Sequence, residues 1–200
     1  MTRGKTGNVS ASDPKRSSRN REKILATALH LFTLQGFDAT PTAQISKEAK
    51  VSTGTLFYYF PDKNSLIDQL YLSIKKEIAE ATRSTDNETQ PTEQRLEQFV
   101  RGYIRWGVAH PEKVRFLDQF YISPGIGAAV KHEAYSEFAW MLELSEAAVR
   151  EGILRDLPFA FHAVMISRVL NGILMLIESG TAGLSQDEIV ENGLEMLRKR

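Results

Sequence analysis

Hydroxyl-bearing and basic side chains gather in one short stretch of the 200-residue chain. Thr53-Gly54-Thr55 is small and rich in hydroxyls, Tyr58 and Tyr59 add phenols, and Lys63 adds a cation. Such groups donate hydrogen bonds to phosphate oxygens, and a glycine lets the backbone approach a ligand closely. The stretch therefore has the chemistry of a phosphate-binding surface.

Catalytic and metal-binding patterns are incomplete elsewhere in the sequence. The chain has no cysteines, which excludes thiol nucleophiles, disulfides and cysteine-ligated metals. His132-Glu133 begins a zinc-protease pattern, but Ser136 stands where the second histidine belongs. Gly125 and Gly127 form half of a dinucleotide fingerprint, and Val130 replaces its third glycine. The sequence favours a protein that is not an enzyme and that has no cofactor or metal site.

The net charge of zero conceals an asymmetry along the chain. Residues 1–63 carry ten basic and five acidic side chains, whereas residues 64–200 carry fifteen basic and twenty acidic ones. Met1–Asn20 holds five of the basic residues against one acidic residue, with few large apolar side chains. A basic N-terminal third on an acidic body is typical of a polyanion-binding module, although a solvated basic tail has the same composition.

We expect no membrane span. The most apolar region, Phe159–Ile177, is interrupted by His162, Ser167, Arg168 and Asn171. The polar, basic N-terminus also lacks the apolar stretch of a secretory signal. Cytoplasmic localisation is the expectation that fits these features and the lack of cysteine.

The elements that must position these residues are helices. Apolar side chains recur at helical spacing, as at Ile24, Ala28 and Leu31, and strand-like alternation is absent from the pattern. The sequence predicts an all-α fold of about nine helices, near residues 21–35, 40–49, 53–60, 63–82, 92–110, 112–121, 132–151, 158–179 and 185–200. We expect a disordered basic arm over residues 1–20, a helix-turn-helix domain over 21–67 and a second helical domain over 68–200.

Two of the predicted helices are short and follow a supporting helix, which is the arrangement of a helix-turn-helix. In that motif the second helix lies in the DNA major groove and presents its N-terminal residues to base edges. An ordinary helical hairpin has the same spacing. The hydroxyl-rich tip at residues 53–55 favours DNA binding over that alternative.

From Ile24 to Leu70 the chain resembles the tetracycline-repressor (TetR) family of transcriptional regulators. The run V-S-x-G-T-L-(F/Y)-x-(Y/H)-F-x-x-K, here Val51–Lys63, is specific for that family among helix-turn-helix proteins. The resemblance implies a homodimeric DNA-binding repressor that a small-molecule effector releases from a palindromic operator. Residues 68–200 agree with the second domain of the family only in length and helical class, and they would bind the effector and dimerise.

By position, the resemblance places the DNA contacts on the two short helices and their flanks: Thr40, Thr42, Thr53, Gly54, Thr55, Phe57, Tyr58, Tyr59 and Lys63. The first two would bind phosphates, and residues 53–55 would read bases. Ser52 is predicted to cap the second helix rather than to read a base.

Three departures from the family pattern are expected to change which operator is recognised. Phe57 lacks the hydroxyl of a common tyrosine, and Ala43 stands where arginine is frequent. Lys50 replaces a common turn glycine, and a non-glycine residue in the left-handed region costs ~1 kcal/mol.

Aromatic side chains on several helices of the second domain could line a cavity between them. With the family resemblance, they point to an effector pocket formed by Tyr103, Trp106, Phe120, Phe138, Met141, His162 and Met165. The same side chains could equally form an ordinary core.

The two C-terminal helices are the predicted dimer interface, because the first is apolar around most of its circumference. The residues assigned to that interface are Val169, Leu170, Ile173, Leu174, Ile177, Val190, Leu194 and Leu197. Two such helices from each subunit would form a four-helix bundle about a two-fold axis, which is similar to the family's interface. The alternative is that both helices complete the core of their own subunit.

Two other functions fit the sequence. One is a DNA-binding protein without a ligand. A test for ligand-induced change in operator affinity would distinguish it from an effector-controlled repressor. The other is a helical enzyme or structural bundle whose helix-turn-helix is incidental, and DNA binding at low salt would exclude it.

Overall fold

The computed structural model describes residues 14–123, 128–180 and 183–197. Most of the predicted arm, the glycine pair at 125 and 127, and the side chain of Leu197 lie outside the described residues. The chain divides into two compact units, Met1–Leu66 and Ile67–Arg200.

The described residues form ten α-helices, and the all-α prediction is confirmed with one helix more than expected. They are α1 (Pro14–Gln35), α2 (Thr42–Glu48), α3 (Thr53–Tyr59), α4 (Lys63–Arg83), α5 (Thr92–Ala109), α6 (Pro111–Ile122), α7 (Ala128–Ser136), α8 (Ala139–Arg150), α9 (Phe159–Ser179) and α10 (Gln186–Leu197). The additional helix arises because the helix predicted over residues 132–151 breaks before Phe138. That residue leaves helical geometry, with φ −110° and ψ 24°, and its ring is buried.

The first unit is built on α1, whose inner face carries the fully buried Ile24, Ala28 and Phe32. α2 and α3 pack against α1 and against each other, and they contribute the fully buried Ile45 and Leu56. These apolar side chains hold the two short helices, which are too short to be stable in isolation.

α1 begins at Pro14, so residues 14–20 are helical rather than the disordered arm that their composition predicts. Proline suits the first turn of a helix, because it has no N–H to leave unpaired. The Ser17 hydroxyl forms a hydrogen bond of 2.9 Å with the Tyr59 hydroxyl, and the Arg21 guanidinium lies 5.7 Å from the centroid of the Phe60 ring. These contacts with α3 and the residue after it stabilise turns of α1 that have few apolar side chains.

In the second unit, α9 packs against α5, α6 and α10. Two glycines set the distance between these helices. A Cβ atom at Gly107 on α5 would lie 2.3 Å from Leu174 Cδ1, and one at Gly193 on α10 would lie 2.2 Å from Ile173 Cδ1. A side chain at either glycine would therefore displace the facing side chain of α9, and the two glycines allow the close packing that buries one long face of α9.

α9 is long and apolar enough to cross a membrane, judged by length and composition only. This differs from the sequence-based expectation, because the polar residues that interrupt the helix are too few to lower its mean hydropathy sufficiently. Of its most apolar 18-residue window, 28% is buried inside the chain. Since three other helices pack on α9, it is a helix of the bundle with an apolar face left uncovered.

Candidate DNA-binding surface and interior cavity

The turn between α2 and α3 has the conformation that the sequence predicts. Lys50 has φ +56°, and it is the one non-glycine residue with positive φ among the described residues. The turn is closed by a hydrogen bond from the Val51 N–H to the Ser46 carbonyl, 3.0 Å long. Ser52 then caps α3, accepting a hydrogen bond from the Thr55 N–H at 3.0 Å. Both predictions, the left-handed lysine and the serine cap, are confirmed.

The N-terminal tip of α3 faces solvent. Thr53 and Gly54 are exposed, Thr55 is half-buried, and Tyr58 one turn further on is 78% exposed. A Cβ atom at Gly54 would meet no atom of this chain closer than Ser52 Oγ, 3.9 Å away. The glycine is thus not required by the packing of the subunit, and its bare backbone is free to approach another molecule.

Hydroxyl groups near the tip are held by local hydrogen bonds. Thr55 Oγ1 lies 2.8 Å from Ser52 Oγ, and Thr53 Oγ1 lies 3.3 Å from Ser46 Oγ. A hydroxyl can donate one hydrogen bond while accepting others, so both threonines keep capacity for a ligand. The tip is therefore preorganised rather than loose.

Two aromatic residues follow the tip on the exposed side of α3. Phe57 is exposed, and Tyr58 packs edge-on against the half-buried Tyr59 with ring centroids 5.1 Å apart. The Tyr59 hydroxyl is engaged with Ser17, as described above. Tyr58 is thus the more accessible phenol for a phosphate.

Thr40 is a correction to the predicted DNA contacts. Its side chain is fully buried, and its hydroxyl donates to the Gly36 carbonyl at 2.7 Å. It closes the turn after α1 and cannot reach a phosphate. Thr42, the first residue of α2, is half-buried, and no side chain caps the start of that helix, so Thr42 keeps its place among the candidates.

Lys63 is a second correction. Its ammonium donates to the Phe37 carbonyl at 2.8 Å, with the carbonyls of Thr40 and Asp38 at 3.4 Å and 3.5 Å. The ammonium is thus directed at the backbone carbonyls of this loop, with one short hydrogen bond and two long ones. The lysine ties the start of α4 to the loop that follows α1, instead of presenting a free cation to DNA.

The second unit contains a cavity of about 80 Å³, formed where α4, α5 and the helices from α6 to α9 meet. Four of the seven residues predicted for the effector pocket line it: Tyr103, Phe138, Met141 and His162. Further lining residues are Lys75, Leu96, Phe99, Tyr121, Tyr135, Ser145, Leu154, Phe159, Ala163, Val164, Ile166, Ser167 and Leu170. The wall is therefore aromatic, with a few polar groups.

The other three predicted pocket residues lie elsewhere. The Trp106 ring stacks on His110, with centroids 5.2 Å apart, and the Phe120 ring stacks on Tyr71 at 4.0 Å. Both are buried core residues. Met165 is exposed on α9. Their aromatic or flexible side chains are also typical of cores and interfaces, so composition alone could not separate them from the cavity wall.

Among the described cavity residues that sequence analysis missed, Lys75 is the one lysine or arginine. It lies on the buried stripe of α4, four residues after Tyr71 and next to Ile74. A lysine within such a stripe is a usable signal, because a cation is rarely placed there without a partner. Its ammonium lies 4.5 Å from the centroid of the Phe138 ring.

Several polar groups in and behind the wall are paired. The Tyr103 hydroxyl donates to Asn171 Oδ1 at 2.8 Å, and Asn171 Nδ2 donates to Asp118 Oδ1 at 2.8 Å. Burial raises the pKa of Tyr103 above its ordinary value, so the phenol stays protonated and keeps donating. Ser145 Oγ lies 3.3 Å from His162 Nδ1.

A second cavity of about 60 Å³ adjoins the first. The two share a wall formed by Leu96, Phe99, Met141, Leu154 and Ile166. The second cavity also has Glu93 and Glu97 in its lining, whereas no carboxylate among the described residues lines the first. The two cavities thus differ in charge.

The predicted dimer residues are mostly buried inside the subunit, which corrects that assignment. Leu170, Ile173, Leu174, Val190 and Leu194 are buried, and only Val169 and Ile177 are half-buried. The physical reason is the close approach of α5 and α10 at Gly107 and Gly193, which covers that face of α9. The uncovered face carries Phe161, Val164, Met165, Met175 and Leu176.

Gly172 lies between the upper and lower residues of this uncovered face, and a Cβ atom there would meet nothing within 4 Å. The intervals from residue 161 to 165, 172 and 176 follow the helical repeat, so the residues form one largely apolar stripe, with the exposed Arg168 in its middle. We call this stripe the α9 face.

Comparison with known proteins shows what the first unit is similar to. Residues 24–70 match the model of bacterial regulatory proteins of the tetR family. HbdR, an HTH-type transcriptional regulator of Aromatoleum, is 38% identical over 86 residues, which are 41% of this chain and 36% of HbdR. The chain thus spans about a third of that relative's length.

Two further similarities extend into the second unit. The HTH-type transcriptional repressor NicS of Pseudomonas putida is 28% identical over 163 residues, which are 76% of this chain and 74% of NicS. A crystal structure of a tetR family regulator from Shewanella sp. PV-4 superposes with a TM-score of 0.83 at 28% identity, covering 90% of this chain and 96% of that one.

Proposed function

The chain belongs to the TetR family of transcriptional regulators, and on that premise we propose that it is a homodimeric repressor released from a palindromic operator by a small-molecule effector. It is an HTH-type regulator that binds operator DNA, and proteins of this family are not enzymes. Repression, dimerisation, effector release and a cytoplasmic location belong to the proposal.

The exposed tip of α3 is the observation that carries the proposal. Thr53, Gly54 and Thr55 lie at the N-terminus of the second helix of the motif, where base edges are read. Ser52 and the turn at Lys50 hold that tip, and Tyr58 stands one turn away as a phosphate donor. Thr42 supplies a further phosphate contact from the start of α2.

A dimer would place two copies of α3 about one turn of DNA apart, ~34–36 Å, in adjacent major grooves. The α9 face is the surface that supports this part of the proposal, because it is largely apolar, is not covered by the described residues and runs along a helix of 21 residues. Pairing of this face with its copy is isologous, so the operator would have matching two-fold symmetry.

Repression is favoured over activation by the likeness to NicS, which is named a repressor and resembles this chain over both units. Effector control is supported by the aromatic cavity and by α4, which lines the cavity through Lys75 and begins at Lys63 in the first unit. A ligand that binds better when α4 is displaced would shift the dimer away from the spacing that DNA requires.

Selection of bound sequences from random duplex DNA tests the operator part of the proposal. We expect an inverted repeat, with Thr55→Ala relaxing the preference at one or two positions of each half-site, because its hydroxyl and methyl groups face base edges. Tyr58→Phe should weaken binding to all sequences alike, since it removes a phosphate donor and reads no base. Failure to select any sequence at low salt would contradict the proposal.

A screen for compounds that release the selected operator tests the effector part. A variant that fills the cavity, for instance Ala163→Leu, should keep its operator affinity. The compound should no longer release the operator from that variant. If no compound changes operator affinity, the protein is a regulator without a ligand, and only this part of the proposal fails.

A further inference from the structure

We propose that the cavity of the second unit binds an apolar monocarboxylate, with the Lys75 ammonium as its counter-ion. This inference rests on the proposed effector function, because it names the chemical class of the molecule that the same cavity takes.

The described residues that line the cavity give it one formal charge, and that charge is positive. Lys75 is the single lysine or arginine among the described lining residues, and no aspartate or glutamate accompanies it there. A cationic ligand would therefore meet repulsion without a counter-ion. An anionic ligand would meet attraction, strengthened because the surrounding wall is mostly apolar.

The ammonium of Lys75 is available for such a ligand. Among the residues that the structure describes, it makes no salt bridge, and its recorded contact is the Phe138 ring at 4.5 Å. An ammonium has three donors and a ring face uses none of them fully. A carboxylate could bind the lysine while the ring contact persists.

The composition of the wall limits the rest of the ligand. Six aromatic rings line the cavity, those of Phe99, Tyr103, Tyr121, Tyr135, Phe138 and Phe159. The Tyr103 hydroxyl is already donated to Asn171, so the wall offers mostly apolar surface away from Lys75. One cation matches one carboxylate, whereas a phosphate dianion would call for more positive charge than the wall provides.

Direct binding to the full chain without DNA is the test. The probes are two matched series: octanoate, octanamide and octylamine, and phenylacetate, phenylacetamide and phenethylamine. Calorimetry should give acids bound about tenfold to a hundredfold more tightly than the matching amides, because a hydrogen bond between charged groups outweighs a neutral one by that amount. The two series distinguish a chain-like from a planar apolar body.

Lys75→Met should abolish the preference for acid over amide while leaving amide binding unchanged, since methionine keeps the apolar contact with Phe138. Lys75→Arg should retain the preference. Lys76→Met is the matched control, because Lys76 is the next residue of α4, is exposed and does not line the cavity. It should bind like the wild type.

Equal binding of acid and amide by the wild type overturns the inference, as does tighter binding of the amines, absence of acid binding, or a preference that survives in Lys75→Met. The outcome is separable from that of the proposed function. Acids that bind without releasing the operator would contradict effector control and leave this inference standing. A neutral compound that binds the cavity more tightly than any acid and releases the operator would contradict this inference and leave effector control standing.

Discussion

The two units of the chain use their polar side chains in opposite ways. In the first unit the functional groups stand on the outside, as with Thr53 and Tyr58, and local hydrogen bonds hold them. In the second unit the polar groups that matter are inside or beneath the surface, where Tyr103, Asn171 and Asp118 form a connected chain. This arrangement supports the proposals of a large ligand for the first unit and a small one for the second.

The difference predicts how each unit responds to substitution. Substitution of a polar side chain on an exposed binding surface alters binding and leaves folding intact. The same substitution inside a helical bundle removes a hydrogen-bond or packing partner that nothing replaces, so it lowers stability. α9 contains both situations on adjacent residues, because Leu174 is buried and Met175 is 59% exposed. It gives the largest expected contrast.

Leu174→Asp should unfold the second unit. Leu174 packs against α5 at Gly107, and a carboxylate there would be buried without a partner. Such a change costs about 3–5 kcal/mol of the free energy of unfolding. Circular dichroism with thermal unfolding should report loss of most of the cooperative helical transition.

Met175→Asp is the matched control on the α9 face. The subunit should stay folded, with a melting temperature that no longer depends on protein concentration, and light scattering should report a monomer. Operator binding by the folded monomer should fall steeply, because two half-sites are no longer held together. If instead Leu174→Asp is a folded monomer, then Leu174 belongs to the interface after all and the assignment of the α9 face is wrong.

Asp86→Asn should lower the stability of the second unit by about 1–3 kcal/mol, the range for hydrogen bonds between charged groups. Asp86 follows α4, is 2% exposed at its side chain, and accepts hydrogen bonds from Arg95 at 2.9 Å and 3.0 Å and from Arg83 at 2.7 Å. Urea unfolding near neutral pH measures the loss. Glu88→Gln is the control, since its exposed carboxylate pairs with Arg83 alone and should change stability by less than about 0.5 kcal/mol.

The same pair predicts a pH dependence. The hydrogen bonds and charge of Arg95 hold the pKa of Asp86 below its ordinary value. A carboxyl whose pKa is lower in the folded state stabilises the fold above the pKa of the unfolded chain, and that contribution is lost as the pH falls through the folded-state pKa. Wild-type stability should therefore decline below about pH 4 more steeply than that of Asp86→Asn. Equal slopes would show that the ion pair does not act on folding.

In the first unit, the features that depend on residues close in sequence could be predicted. The left-handed Lys50 and the Ser52 cap involve contacts within a few positions, so local patterns sufficed. Thr40 and Lys63 were misjudged because their partners are carbonyls at the end of α1 and in the loop after it. A sequence does not state which backbone acceptors a side chain will find there.

In the second unit the class of fold was predictable, and the inner assignments were predictable only in part, for four of the seven pocket residues. Which aromatic side chains face a cavity depends on how several helices meet, and Trp106 and Phe120 differ from Tyr103 only in that respect. The face of α9 that is buried depends on two glycines on other helices, Gly107 and Gly193. Apolar pattern alone cannot choose between two apolar faces.

Thr40→Val sharpens the contrast within the first unit. The buried hydroxyl donates to Gly36, so its removal leaves a carbonyl unpaired and should cost about 1–2 kcal/mol of stability. Operator affinity of the folded protein and its salt dependence should not change. Thr42→Val should show the reverse, a weaker operator complex with normal stability, when both variants are compared by urea unfolding and by fluorescence anisotropy. A loss of salt dependence in Thr40→Val would restore Thr40 as a phosphate contact.

Lys50→Gly is expected to have the smallest effect, and it is a gain. At φ +56° the lysine side chain is strained, and glycine relieves this while adding freedom to the unfolded chain. The balance should raise the stability of the first unit by about 0.5–1 kcal/mol, measured without DNA by hydrogen exchange of the α2 and α3 amides. Lys47→Gly removes the same charge from within α2, where glycine instead costs about 1 kcal/mol, so opposite signs for the two variants would identify backbone strain as the cause. Slower exchange in both variants would point to relief of charge repulsion in place of strain, and the turn at Lys50 would then carry no energetic penalty.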